Sequence, residues 1–189
     1  MVGQDGQQLD LLGSVLHAGI VGLLHPLERP AHVVALAGLA LIAARSKRKA
    51  AFAGSAVEVA FAVGLAIGLA TLVQGVGETL ASDALLAGAS VCGLVAAAGV
   101  STSTALTLPV AFLFGIALGL DSPPDAISLG EAMATLTGIA CGAVIVLAVM
   151  VALAFRMGRV WRGVMLRVAG SWIAAIAILA LVVRWGGGL

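Results

Sequence analysis

The stretch His25-Pro26-Leu27-Glu28-Arg29-Pro30-Ala31-His32 interrupts an apolar region that covers residues 11–45. This region is too long for one straight membrane span and short for two, because one span takes about 20 residues. Proline breaks helical hydrogen bonding, so Pro26 and Pro30 predict a corner. We therefore predict a short or half-inserted helix at 9–25, a broken corner at 26–30 and a helix at 31–45.

The composition is that of a membrane protein. Apolar residues make up 61% of the 189 residues, charged residues make up 10%, and the mean hydropathy is +1.16. Soluble domains are about 45–50% apolar and about 25% charged. A single integral membrane domain covering 1–189 is predicted. The first ten residues carry two acids and no basic residue, so we expect no cleavable signal peptide, and the net charge of +1 does not indicate nucleic-acid binding.

Apolar segments of about the length of a membrane span recur along the rest of the chain. They cover 51–75, 84–100, 104–120, 130–155 and 166–185. Together with the helix at 31–45 they make six full spans. The predicted fold class is an all-α, polytopic transmembrane helical bundle with six full spans plus the short N-terminal helix.

Charges alternate in sign between successive predicted loops. Two loops are basic, whereas the alternate loops hold the acids Glu78, Asp83, Asp121, Asp125 and Glu131. Cytoplasmic loops carry an excess of Lys and Arg. We therefore predict that the two basic loops are cytoplasmic and that the C-terminus is outside. The basic residues are Arg45, Lys47, Arg48 and Lys49 in the first loop and Arg156, Arg159, Arg162 and Arg167 in the second.

Glycines at GxxxG spacing mark helix faces that pack closely. The pairs are Gly64/Gly68, Gly115/Gly119 and Gly138/Gly142. Small faces let helices approach each other in lipid. We interpret them as packing faces within one bundle, although the same faces would also suit a homo-oligomer.

The interrupting stretch carries the best candidates for chemistry, since ionisable groups at membrane depth persist where they pair, bind an ion or line a water-filled path. On a continuous helix His25 and His32 would face the same way, about two turns apart, with Glu28 near that face. Two imidazoles and a carboxylate suit nickel, cobalt, copper or zinc. The alternative is an interfacial turn in which Glu28 pairs with Arg29.

Three further ionisable residues are candidates. Glu58 lies one to two turns inside a predicted span, where a carboxylate is protonated, paired or faces water; the alternative is contact with the cytoplasmic basic cluster. His17 lies in the first apolar segment and is more typical of a structural residue, and Asp121 is typical of a helix end. Because no catalytic motif is present, we expect no enzyme.

The interrupting stretch resembles the HupE/UreJ family of nickel and cobalt permeases, which carry His-Pro-x-x-Gly-x-Asp-His. His25, Pro26 and His32 match that motif, and VVALAGLALIAAR follows at 33–45. Arg29 replaces the motif glycine and Ala31 replaces its aspartate.

The resemblance continues through most of the chain. LPVAFLFGIALGLD at 108–121 is similar to the family's second motif, with Phe114 and Leu118 in place of its histidines and Asp121 at its final acid. Glu58 lies where the family has a glutamate, and MLRVAGSWIAAIAILAL at 165–181 is similar to its last helix.

The resemblance implies a compact bundle of about six helices in the inner membrane of a bacterium. It also implies passage of Ni²⁺ or Co²⁺ as a transported substrate. The primary ligands would be His25, His32 and Glu58, with Glu28, Asp121 and His17 as secondary candidates, and uptake would fail at acid pH as the imidazoles protonate.

Two other functions stay open. One is a non-transporting small transmembrane subunit or assembly factor of a larger membrane complex, in keeping with the minimal loops and the missing motif ligands. The other is a permease for another solute, or a proton-coupled carrier with Glu58 as the proton site. Under each of them the partners are the lipid bilayer and either a homo-oligomer or a larger complex.

Overall fold

A computed structural model describes residues 2–46, 50–71, 78–124, 128–160 and 163–186 of the chain. These residues form seven α-helices and no β-strand. The helices are α1 (Val2–Glu28), α2 (Pro30–Ala44), α3 (Ala50–Thr71), α4 (Glu78–Ala98), α5 (Thr104–Leu120), α6 (Leu129–Val160) and α7 (Val164–Gly186).

The predicted corner is confirmed, and the break falls on a single residue. Arg29 is extended, with φ −96° and ψ 111°, because a residue that precedes proline avoids the helical region. Pro30 then fits the first position of α2, where its missing N–H costs nothing. Pro26 lies inside the last turn of α1, so α1 is longer than the predicted 9–25. The axes of α1 and α2 differ by 68°.

Fewer helices meet the length and hydropathy of a membrane span than the six predicted. Leu80–Ala98 of α4, α6 and α7 each meet them, and the bent pair α1–α2 makes a fourth if it counts as one span. The shortfall arises because α2 has 15 residues and α5 has 17, below the usual length of about 20. For α3, Ser55–Thr71 is a shorter apolar helix, and the end of its predicted span at 75 lies outside the described residues.

The short helix α2 lies at the centre of the bundle. It contacts each of the other six helices. Residues from Ala35 to Ala43 are almost all buried, on every side of the helix. A helix that is apolar all round belongs in the interior. Polar groups in the first turn of α2 are therefore carried into the core.

Rows of glycines on one helix face allow the other helices to pack closely in pairs. Gly64 and Gly68 of α3 face the backbone of Phe112 and Ile116 of α5, and a Cβ added at Gly64 would overlap the Phe112 carbonyl oxygen. Gly138 and Gly142 of α6 face α1 in the same way, against Gly22 and Leu23. The predicted packing faces are confirmed within this one chain.

The two ends of the bundle differ in charge. At one end Arg45 donates to the carbonyl of Gly163, and burial, followed by the positive charge of nearby Arg167, lowers the pKa of the Arg45 guanidinium. Residues from the two predicted basic loops therefore lie together. At the other end the aspartates pair with arginines: Arg184 Nε lies 3.2 Å from Asp83 Oδ1, and Arg29 pairs with Asp121.

Candidate functional site

The break at Arg29 brings the two histidines of the interrupting stretch together. His25 lies in the last turn of α1, and His32 lies in the first turn of α2. The Arg29 carbonyl accepts hydrogen bonds from the backbone N–H of His32 and Val33, so the first turn of α2 is fixed directly after the break. The imidazole ring centres are 5.7 Å apart in an edge-to-face arrangement, with 63° between their planes.

His32 is bound to an aspartate from a distant part of the chain. Its Nε2 lies 2.9 Å from Oδ2 of Asp121, the residue that ends α5. Both side chains are buried, with His32 fully inaccessible. Because a carboxylate only accepts hydrogen bonds, this pattern assigns a proton to Nε2, and a neutral imidazole then carries its lone pair on Nδ1. A carboxylate in this role fixes both the tautomer and the orientation of the ring.

Arg29 holds the other side of the same aspartate. Its Nη1 donates to the Asp121 carbonyl at 2.8 Å and lies 3.4 Å from Asp121 Oδ1. In the described part of the chain Arg29 thus pairs with Asp121 and not with its neighbour Glu28, whose side chain is exposed. The interfacial Glu28–Arg29 pair considered above is not formed. The guanidinium offsets the charge of the buried carboxylate and is itself 37% exposed.

Two imidazole nitrogens of the site are buried without a hydrogen-bond partner. They are Nε2 of His25 and Nδ1 of His32. Leaving a buried polar atom unpaired costs about 1–3 kcal/mol, so such an atom in a native protein calls for an explanation such as a water or an ion. Two imidazoles on one four-coordinate metal ion would put their ring centres about 5–5.5 Å apart. The observed separation of 5.7 Å is close to that value.

A polar cavity adjoins His25. It has a volume of about 490 Å³ and lies between α1, the corner and α6, with His17, His25, Arg29 and Glu131 in its wall. Glu131 is part of the N-terminal cap of α6: its Oε2 accepts from the Ser128 N–H, and the Ser128 hydroxyl accepts from the Glu131 N–H. This reciprocal capping begins α6. His25 borders this cavity, although its Nε2 is buried from solvent.

The other predicted ligands are not part of this cluster. Glu58 lies on α3, which packs mainly against α5, and its side chain is partly exposed. His17 lies in the cavity wall, and Glu28 is exposed. Across the five described ranges, no group of three or more His, Cys, Asp or Glu side chains is placed to hold a metal ion. The structure thus joins His25 to His32, and His32 to Asp121, without Glu58.

Sequence reasoning missed the connection between Arg29, His32 and Asp121. It treated Asp121 as a helix end, which is correct for its backbone, since its N–H bonds to the Ala117 carbonyl at 3.0 Å. The available signal was charge: Arg29 and Asp121 are both next to a proline-containing break in an apolar chain. Such lone charges pair with each other when they lie at the same depth.

No protein-family model, curated protein or solved structure matches this chain. The resemblance to the HupE/UreJ permeases therefore stays a prediction based on the motif residues.

Proposed function

We propose that this protein is a small membrane permease that binds a divalent transition-metal cation, such as Ni²⁺ or Co²⁺, between His25 and His32. The observation that carries the proposal is the pair of neighbouring imidazoles with buried, unpartnered nitrogens at the corner between α1 and α2. Imidazole suits nickel, cobalt, copper and zinc. The adjoining cavity supplies water for the remaining coordination positions.

Asp121 and Arg29 give this proposed site its chemical character. Asp121 holds the His32 ring so that Nδ1 is the free nitrogen, and such outer partners raise the basicity of a histidine ligand. Arg29 places a fixed positive charge beside the bound cation. Two protein ligands and a nearby guanidinium make a weak site, and a transported ion must be able to leave its site. Protons compete for the same nitrogens, so we expect cation binding to weaken at acid pH.

The proposed topology has six spans, formed by α2 to α7. In this topology each of these helices would connect the end that holds Arg45 and Arg167 with the end that holds Asp83 and Asp121. The short helices α2 and α5 would cross as parts of the bundle, α2 in contact with the other six helices and α5 packed mainly against α3. With the basic end in the cytoplasm, the C-terminus and the mouth of the histidine cavity face outward from a bacterial inner membrane. Helix α1 then packs against α6.

Metal-dependent stabilisation of the purified protein tests the site. We expect a rise in the midpoint of thermal unfolding with Ni²⁺, Co²⁺, Cu²⁺ or Zn²⁺, since an ion at 100 times its Kd stabilises by about 2.7 kcal/mol. His25→Ala should abolish the rise. His17→Ala, which removes an exposed histidine of the same cavity, should retain it. If none of the four metals raises the midpoint for the wild-type protein, the proposed cation site is wrong.

A second candidate is the non-transporting subunit, for which the outer face of α1 would be a contact surface. Helix α1 packs mainly against α6 and leaves large apolar side chains uncovered, among them Leu12, Leu16 and Ile20. Purification from native membranes in mild detergent would distinguish the candidates. Recovery of one stoichiometric membrane partner, together with no response to metals, would replace the permease with the subunit.

A further inference from the structure

A second cavity lies on the opposite side of the Arg29–Asp121 pair, between α2, α4 and α7. It is a groove of about 590 Å³, within the usual range of ligand sites of about 300–1,000 Å³. Its long wall is apolar and includes Val34, Leu86, Ile176, Leu179 and Val183. These side chains belong to helices that we assign to the membrane, so the groove is open to lipid chains.

The mouth of this groove carries two arginine side chains. Arg29 and Arg184 both line it, together with the hydroxyl of Ser82. Their guanidinium side chains are 37% and 38% exposed, whereas the paired carboxylates of Asp121 and Asp83 are 4% and 24% exposed. Asp121 also lines the groove but is almost fully buried, and Asp83 does not line it, so the two guanidinium groups are the more accessible charges at the mouth. A ligand that enters the mouth meets N–H donors before it meets carboxylate oxygens.

The apolar wall and the arginines at the mouth together suit a molecule that has an acyl chain and an anionic headgroup. We propose that this groove, defined by Arg29, Arg184 and the apolar wall of α2, α4 and α7, binds one anionic phospholipid of the phosphatidylglycerol type. The acyl chain lies along the apolar wall, and the phosphate accepts hydrogen bonds from the two guanidinium groups. Arginine suits phosphate because its planar donors match the oxygens of the anion. Basic pockets between transmembrane helices bind anionic headgroups in this way.

The side chain of Arg184 is held at the mouth of the groove before any ligand binds. Its Nη1 donates to Ser82 Oγ at 2.6 Å, and its Nε is paired with Asp83. These contacts fix the guanidinium, so less side-chain entropy is lost when a phosphate binds. The proposal is independent of the cation site, because Arg184 and the wall of α7 take no part in it. The two sites share Arg29 and Asp121, which both line the groove, and a bound phosphate would act through them on His32.

Native mass spectrometry of the delipidated full-length protein in detergent tests the proposal. The probes are dioleoyl-phosphatidylglycerol, dioleoyl-phosphatidylcholine, dioleoylglycerol and inorganic phosphate. We expect one phosphatidylglycerol per chain, bound more tightly than the other three. Arg184→Gln should weaken that binding about five-fold, the usual contribution of one basic residue near a membrane surface. Arg156→Gln, which removes an exposed arginine at the other end of the bundle, should leave it unchanged.

A second pair of variants tests the acyl-chain wall without touching a charge. Ala180→Phe fills the groove and should abolish phosphatidylglycerol binding, whereas Ala175→Phe, on an exposed face of the same helix outside the groove, should retain it. Equal binding of phosphatidylcholine or dioleoylglycerol would overturn the headgroup assignment. Full binding by Ala180→Phe would overturn the groove itself.

Discussion

Replacement of Asp121 by alanine is expected to destabilise the protein far more than replacement of Asp83, although both aspartates pair with an arginine at the same end of the bundle. The difference is burial. In Asp121→Ala, His32 Nε2 loses its 2.9 Å partner inside the core, which costs about 1–3 kcal/mol for an orphaned buried group. Arg29 keeps its hydrogen bond to the backbone carbonyl at position 121. Its guanidinium is partly exposed, so water replaces the lost contact with the carboxylate at a cost of about 0–1 kcal/mol.

The expected loss for Asp121→Ala is therefore about 1–4 kcal/mol, with a central value of about 2.5 kcal/mol. Asp83→Ala breaks the partly exposed pair with Arg184 and the hydrogen bond from Trp185 Nε1, and should cost about 1 kcal/mol or less. Free energies of unfolding from detergent-to-SDS titrations, followed by circular dichroism, measure both. Asp121→Asn retains an acceptor oxygen and should recover at least half of the loss.

A double-mutant cycle with His32 isolates the buried hydrogen bond. In a His32→Leu background no imidazole is left to be orphaned, so Asp121→Ala should cost less than about 1 kcal/mol. The reasoning fails if Asp121→Ala is no more destabilising than Asp83→Ala, or if its cost is the same with and without His32. Either result would mean that the contact contributes nothing measurable to stability.

Two further predictions concern packing and topology. Gly64→Ala should destabilise the protein by about 1–3 kcal/mol through overpacking against the Phe112 carbonyl. Gly13→Ala, with nothing within 4 Å of the added Cβ, should be neutral or stabilise by up to about 1 kcal/mol. Thermal unfolding compares the two variants, and equal effects would contradict the close glycine packing between α3 and α5. In intact cells, a membrane-impermeant maleimide should label Ser128→Cys and leave Arg159→Cys unlabelled until the cells are opened, and the reverse pattern would invert the proposed orientation.

Local chemistry made the helices and the corner predictable. Pro30 places the break at Arg29, whereas Pro26 is accommodated in the last turn of α1, and the observed helix α2 (Pro30–Ala44) lies within a residue of the predicted 31–45. The bounds of α2 and α5 agree with the predicted 31–45 and 104–120 to within one residue. Both helices are nevertheless shorter than the usual span of about 20 residues, so they do not meet the length criterion although their hydropathy marks them as apolar.

The side-chain partners were harder to predict than the helices. His32 and Asp121 are 89 positions apart, and no spacing rule connects such residues. The proposed role of Glu58 depended on which way α3 is rotated about its axis. A helix that is apolar on nearly all faces carries no signal for that rotation, and glycines decide it through close approach instead.

The central position of α2 has a consequence for biosynthesis. Helix α2 is the second to leave the ribosome, but the helices that enclose it are made later, and the acid that satisfies His32 follows 89 residues behind. At translation rates of about 5–20 residues per second, His32 is synthesised roughly 4–18 s before Asp121. During that interval the insertion machinery must keep the short helix α2, with the His32 imidazole in its first turn, out of contact with lipid. Nascent chains halted before Asp121 should therefore remain bound to the translocon, and chains halted after it should be released into the bilayer.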